Sequence, residues 1–295
     1  MNVATNAFET IFHSFNVPMA LIIKYGEEQR FDKVNTAFLK LAGYSEQELF
    51  QMSPSRLFSA WESTSNSDGI FCPYVLVTKY DRTLYVKLTC QTVESYDLPT
   101  RILIAEDITA RLWIDTQLRT GNVMLYGIVD NQFIIQNIEE NYPMPVFDSE
   151  FTVEDQSFFK IVHEDDLEPI EDAIKHYLNR RQPQHFKFRT KKLADLVDLE
   201  VTLTFSPFYN GDETLKNNGF VVTDLRAYSH PVDPSIKLKV LMARCNISAQ
   251  QLSEATGISV QTISKLRNGK IGKPHRLTAD LIATELNVKR QDIWE

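Results

Sequence analysis

The stretch Ser248-Ala-Gln-Gln-Leu-Ser-Glu-Ala-Thr-Gly-Ile-Ser-Val-Gln-Thr-Ile-Ser-Lys-Leu-Arg-Asn-Gly269 reads as two short helices joined by a tight turn. Ser248 and Gln251 have the S-x-x-Q spacing of a capping box, so a helix should start there. Gly257, after Leu252, Ser253 and Ala255, can adopt the left-handed conformation that ends a helix. Ser259 can cap the next helix, and Ile263 and Leu266 share the face that would seat it on a core. Val260, Gln261, Ser264, Lys265 and Arg267 are left facing outward, a polar and basic set suited to base edges and phosphates.

Over about Ile236 to Trp294 these residues resemble the phage-repressor (Xre/Cro-like) helix-turn-helix domain. Leu252, Ser253, Gly257, Ile258, Ile263 and Leu266 fall where that motif wants apolar, small or turn residues. The later Asn268-Gly269-Lys270, Lys273-Pro274, the helix Arg276–Leu286 and Asp292-Ile293-Trp294 match as well. Two positions depart from the pattern. Ala249 stands where many relatives carry a phosphate-binding glutamine, which moves that contact to Ser248 or Gln250, and Thr256 replaces an apolar residue. The resemblance implies a domain that binds double-stranded DNA through Ser248, Gln250, Ser259, Val260, Gln261, Thr262, Ser264, Lys265, Arg267, Lys270 and Lys273.

Charge supports that reading once the chain is divided. The 295 residues carry a net charge of −8, yet from Ser235 to Glu295 ten Lys/Arg stand against five Asp/Glu, a net of +5. The preceding residues hold the remaining 21 Lys/Arg and 34 Asp/Glu, a net of −13. A basic end is the electrostatic footprint nucleic acid requires, and an acidic remainder stays clear of phosphates. Cys72, Cys90 and Cys245 are far apart and form no C-x-x-C pair, which argues against a disulfide framework or a zinc site. With no long apolar run and no signal-peptide layout, a soluble cytoplasmic protein with no membrane association is expected.

The first 234 residues contain two stretches that mix helices and strands in the same order. The first opens with a helix, Phe8–Phe15, and a strand, Met19–Tyr25, closed by a turn at Gly26-Glu27-Glu28. A helical pattern through Phe38 and Leu41 ends at Gly43-Tyr44-Ser45, and Ser45 with Glu48 makes a second capping box. Three strand-like runs follow, Tyr74–Lys79, Leu84–Gln91 and Arg101–Glu106. The second stretch repeats the plan with a hairpin, Leu125–Asp130 and Phe133–Ile138, turning at Asp130-Asn131. Its long helix should begin near His163-Glu164-Asp165-Asp166 and bury Ile170, Ala173, Ile174, Tyr177 and Leu178. Strands His185–Thr190, Leu199–Phe205 and Asn218–Thr223 complete it, with Tyr142-Pro-Met-Pro145 intruding where a helix would be expected.

Asn35, the Gly43-Tyr44-Ser45 turn and Asp107-Ile108-Thr109 make the first stretch similar to a PAS domain, and the second is a more divergent copy. The fold expected is α+β and multidomain. Two PAS-like domains, each an antiparallel five-stranded sheet with flanking helices, precede an all-α helix-turn-helix domain. The divisions fall at 1–110, a helical linker 111–121, 122–228, a proline-containing hinge 229–234, and 235–295.

The resemblance implies a pocket between sheet and helices that can hold a small molecule. Phe38, Leu41, Tyr44, Phe58, Trp61, Tyr74, Tyr85 and Leu88 are its candidates in the first domain, or simply that domain's core. An organic molecule is favoured over flavin, since neither Cys72 nor Cys90 lies in the light-sensing motif. It is favoured over haem because His13, His163, His176 and His185 read better as capping or solvated residues than as axial ligands.

No nucleophile elbow, phosphate loop or metalloprotease motif is present, so no catalytic or metal-binding residues are assigned. Glu164-Asp165-Asp166 fits as negative charge at a helix N-terminus. The expected protein is a non-enzymatic, homodimeric transcription regulator on a two-fold operator, whose PAS domains sense a small molecule, mediate dimerisation, or do both. The alternative is a scaffold whose PAS domains recruit a partner.

Overall fold

The computed structural model describes residues 3–59, 61, 73–93, 98–141, 153–191, 199–228 and 233–294. The chain forms two compact units, 1–113 with 208–216, and 114–207 with 217–295.

In the first unit, helix α1 (Val3–Ser14) leads into strands β1 (Met19–Tyr25) and β2 (Glu28–Val34). Short helices α2 (Thr36–Ala42), α3 (Glu46–Phe50) and α4 (Pro54–Leu57) follow. Strands β3 (Tyr74–Val77), β4 (Thr83–Val93) and β5 (Thr100–Asp107) complete an antiparallel sheet in the order β2-β1-β5-β4-β3. Helix α5 (Thr109–Thr120) comes next. The sheet buries Ala20, Ile22, Phe31, Val34, Leu76, Val86 and Leu103 against Phe38, Leu41, Leu49 and Phe58 of the helical side.

Strand β2 is absent from the sequence-based expectation. Its run Glu-Gln-Arg-Phe-Asp-Lys-Val has only two apolar residues, Phe31 and Val34, and these alone are buried. A bulge in β1 between Leu21 and Ile22 shifts its register.

The sequence marks of this domain have physical roles. Asn35 is fully buried and caps α2: its Oδ1 accepts from the backbone of Phe38 at 2.9 Å and of Met19 at 3.0 Å. Its amide donates to the carbonyls of Val17 at 2.8 Å and Phe12 at 3.2 Å, so one side chain joins α1, β1 and α2. Gly43 ends α2 at φ +78°, and Ser45 with Glu48 makes the reciprocal capping box of α3. Asp107 accepts from both the backbone and the hydroxyl of Thr109, whose hydroxyl in turn accepts from the Tyr85 backbone.

Residues 208–216 belong to this unit and are held by close, specific contacts. A Cβ on Gly43 would lie 2.1 Å from the Gly211 carbonyl oxygen, and one on Gly211 2.3 Å from that of Leu41. Arg82 donates to Glu213 at 3.1 Å and lies over the Tyr209 ring at 4.8 Å. Lys216 reaches the buried carboxylate of Asp107 at 2.7 Å, and Trp113 meets Phe208 edge to face.

The second unit repeats the sheet in the order β7-β6-β10-β9-β8. Its strands are β6 (Leu125–Asp130), β7 (Ile135–Glu140), β8 (Gln184–Arg189), β9 (Leu199–Tyr209) and β10 (Leu215–Ala227). Helix α6 (Glu164–Arg180) is capped by His163, whose Nδ1 accepts from the Asp165 backbone, and its first turn carries Glu164, Asp165 and Asp166. Asp166 takes Arg189 in a two-pronged contact, at 2.6 and 3.0 Å, which holds its carboxyl below the usual carboxylate range. Ile170, Ile174 and Tyr177 are buried, and Ala173 and Leu178 pack at the margin.

The opening hairpin differs from the expected one. Asp130 Oδ1 accepts from the backbones of Gln132 and Ile134, and Phe133, at φ +60°, drops its ring into the core rather than starting a strand. The expected intrusion at 142–145 lies outside the described residues.

Five helices finish this unit: α7 (Pro234–Arg244), α8 (Ala249–Thr256), α9 (Val260–Arg267), α10 (Arg276–Glu285) and α11 (Arg290–Ile293). Leu238, Met242, Leu252, Ile263, Leu266, Ile282 and Trp294 form their core. Residues 229–232 of the expected hinge lie outside the described residues, but Pro234 is no part of a linker. Asp233 caps α7 by accepting from the Ser235 backbone at 2.7 Å, and Pro234 takes the first helical position, where a missing N–H is harmless.

Candidate nucleic-acid interface and apolar cavity

Helices α8 and α9 meet through a turn built as the sequence implies. Ser248 Oγ accepts from the Gln251 backbone and Gln251 Oε1 from that of Ser248, starting α8 with a closed capping box. Gly257 ends it at φ +71°, and its N–H donates to the Ser253 carbonyl. Ser259 caps α9, accepting from the Thr262 backbone. Ser253, which the sequence offered only as a small residue, also fastens the turn, since its hydroxyl donates to the Ile258 carbonyl at 2.6 Å. Thr256 settles at an otherwise apolar position by donating to the Leu252 carbonyl at 2.5 Å.

Ile263 and Leu266 anchor α9 in the core, which turns Val260, Gln261 and Lys265 to solvent, with Ser264 half-exposed beside them. Lys270 and Lys273 are exposed on the loop beyond the helix. Several of the expected residues also bond within the domain. The Ser248 and Ser259 hydroxyls serve as caps, Thr262 Oγ1 pairs with Ser259, and Gln250 Nε2 donates to Glu254 at 2.8 Å. Arg267 follows Ile263 by one turn, so it is half-buried, and its Nε is buried without a hydrogen-bond partner.

The pocket candidates of the first domain lie together but are packed. Phe38, Leu41, Phe58 and Trp61 are buried, with Phe58 stacked on Trp61 at 5.7 Å and Trp61 Nε1 donating to Gln29 at 2.9 Å. Tyr44, Tyr74 and Leu88 pack at the edge of that core. Tyr85 departs from the expectation. The period of two that buries Leu84 and Val86 turns it to the opposite face, where it is 39 % exposed.

The second sheet, by contrast, faces a wholly apolar cavity of about 70 Å³. Strands β9 and β10 supply Leu199, Val201, Leu203, Phe220, Val222 and Leu225, and Phe158, Ile161 and Phe188 help close it. Thr190 is its one hydroxyl, and that oxygen accepts from the Leu199 backbone. This site is invisible in the sequence because its residues alternate along strands as any core does; nothing in the pattern distinguishes a filled core from a hollow one. Among the described residues no cluster of His, Cys, Asp and Glu could hold a metal ion, and no helix is long and apolar enough to cross a membrane.

Comparison with known proteins bears on both parts. Residues 237–295 match the model of the Cro/C1-type HTH DNA-binding domain. No curated protein matches the sequence. Among solved structures, a PAS domain from a two-component sensor histidine kinase is similar at 12 % identity, with 36 % of this chain and 96 % of that one covered and a TM-score of 0.31. A PAS domain of a Desulfitobacterium hafniense protein aligns at 22 % identity over 35 % of this chain and 98 % of its own, TM-score 0.27. One from an HTR-like protein of Haloarcula marismortui aligns at 15 % over 36 % and 92 %, TM-score 0.30. The fold assignment itself rests on the two sheets, each antiparallel and five-stranded and with the same strand order. Residues 237–295 match the Cro/C1-type helix-turn-helix DNA-binding domain, and two domains precede them, each built on an antiparallel five-stranded sheet.

Proposed function

We propose that this protein is a sequence-specific DNA-binding transcription regulator that responds to a small apolar molecule. The observation that carries the DNA half is α9, seated by Ile263 and Leu266 with Val260, Gln261, Ser264 and Lys265 presented outward. Gln261 suits adenine, Lys265 guanine, and the Val260 methyls a thymine methyl. Lys270 and Lys273 take phosphates. One such domain gives modest specificity, so the working form is a homodimer on a two-fold operator with half-sites about 34 Å apart. The domain divisions at 1–110, 122–228 and 235–295 belong to this reading.

The cavity of the second domain supports the sensing half. An apolar void stays dry and is filled favourably by an apolar molecule. The ligand class is therefore an uncharged, carbon-rich molecule rather than a charged metabolite.

The test begins with a duplex recovered from random sequence by selection on the full chain. Gln261→Ala should relax sequence preference by about 1–3 kcal/mol at one position, whereas Lys270→Ala should weaken selected and random DNA alike. Identical effects of Gln261→Ala on both duplexes would remove α9 from base reading. For the sensor, native mass spectrometry should find an added mass that disappears on unfolding. An unladen protein whose DNA footprint ignores a library of apolar molecules would instead describe a scaffold.

A further inference from the structure

The reading head and the cavity domain share a helix. In α7, Ile236, Val240 and Ala243 lie on one face, and Val240 and Ala243 are buried in the same apolar core as the cavity-lining Leu125, Val222 and Leu225, with Ile236 packed against it. On the opposite face, Leu238 and Met242 are fully buried in the core of the helix-turn-helix, with Leu252, Ile263 and Leu266. A helix apolar on both sides is one enclosed on both sides. The sequence carries that pattern from Ile236 to Ala243, interrupted only by Lys237 and Lys239.

A polar tie reinforces the link. Arg244, the last residue of α7, reaches Asp224 of β10 at 3.1 Å, and Arg226 holds the other carboxylate oxygen at 2.7 Å. Asp224 stands next to Leu225 and two residues from Val222, both lining the cavity. Beside the end of α7 lies an open cleft of about 260 Å³, bounded by Met124, Thr223 and Asp224 on one side and by Leu241, Cys245 and Leu286 on the other.

We infer that α7 is the element through which the cavity controls DNA affinity. This rests on the proposal that the cavity receives a molecule. The cavity, about 70 Å³, is roughly half the size of an apolar cavity that takes benzene, about 150 Å³. A molecule larger than a few atoms must move its walls. Close-packed interiors transmit such displacements, and the wall residues Val222 and Leu225 share a core with α7. A shift of α7 moves Leu238 and Met242, and with them the seat of α9. Signalling thus needs neither the 229–234 segment as a hinge nor a change in how subunits pair.

The experiment uses the full chain, the selected duplex and fluorescence anisotropy. Val201→Phe fills the cavity permanently. Val240→Ala loosens α7 from the cavity domain without touching the helix-turn-helix core, so its own affinity for DNA should stay within about two-fold. Val201→Phe should change the dissociation constant about five-fold or more, and less than two-fold when combined with Val240→Ala. An equal change in both backgrounds would overturn the role of α7 while leaving the cavity as a control site. No change in either background would overturn both the sensing proposal and this one. Should Val201→Phe fail to fold, xenon under pressure fills the same cavity in the unsubstituted chain and in Val240→Ala, and the same comparison applies.

Discussion

Two glycines in left-handed conformation show how one backbone angle can cost different amounts. Gly257, at φ +71°, has nothing within 4 Å of a would-be Cβ, so Gly257→Ala should cost only the conformational penalty, about 1–2 kcal/mol. Gly43, at φ +78°, adds a collision 2.1 Å from the Gly211 carbonyl, and backbone on backbone cannot yield. Gly43→Ala should lose clearly more, on the order of 2–4 kcal/mol. Urea denaturation of the two variants should rank them in that order, and equal losses would mean that the 208–216 segment yields to the new methyl. Glu48 gives a second prediction at this scale. Lys79 at 2.7 Å and the Ser45 hydrogen bonds hold its pKa down to about 2 from 4.5. A depressed carboxyl contributes stability that is present above about pH 4.5 and fades as pH falls toward 2. Carboxyl NMR should find Glu48 titrating well below the ordinary glutamate value, and Lys79→Ala should return it toward that value.

Among the elements, α9 depends on its start. Ser259 supplies its cap, and Ser253 fastens the preceding turn. Ser259→Ala should cost about 1 kcal/mol, which appears as roughly five-fold faster hydrogen exchange in α9 with α10 unchanged. A uniform rise over all helices would show that α9 does not open on its own. Both capping boxes and the left-handed Gly257 are legible in the sequence because each depends on residues three or four apart. Strand β2 is not, since it is held by pairing with β1 rather than by an apolar pattern of its own. Phe133 reads as a strand residue because its side chain suits one, whereas the Asp130 turn sets its backbone. Pro234 reads as a hinge because proline resists the helix interior, though it fits the first turn equally well.

For the whole molecule, the uneven charge predicts how binding responds to salt. The residues from Ser235 to Glu295 carry +5 and those before them −13, so DNA is expected at the basic end. Lys270→Ala should lower the slope of log affinity against log salt by about 0.9, the share of a single phosphate, while Glu27→Gln in the acidic part should leave it unchanged. A slope altered by Glu27→Gln would place the first domain against the DNA. The two repeated α+β domains, the helix-turn-helix and the side chains that α9 presents are all readable from the chain alone. They follow from local backbone preferences and from apolar periodicity, both of which are written within a few residues. Tertiary packing, in contrast, decides that the second core holds a cavity, that 208–216 packs with the first unit, and that α7 serves two cores. Each of those depends on how side chains from distant segments share volume, and an apolar residue reads the same whether it faces a neighbour, a void or a second core.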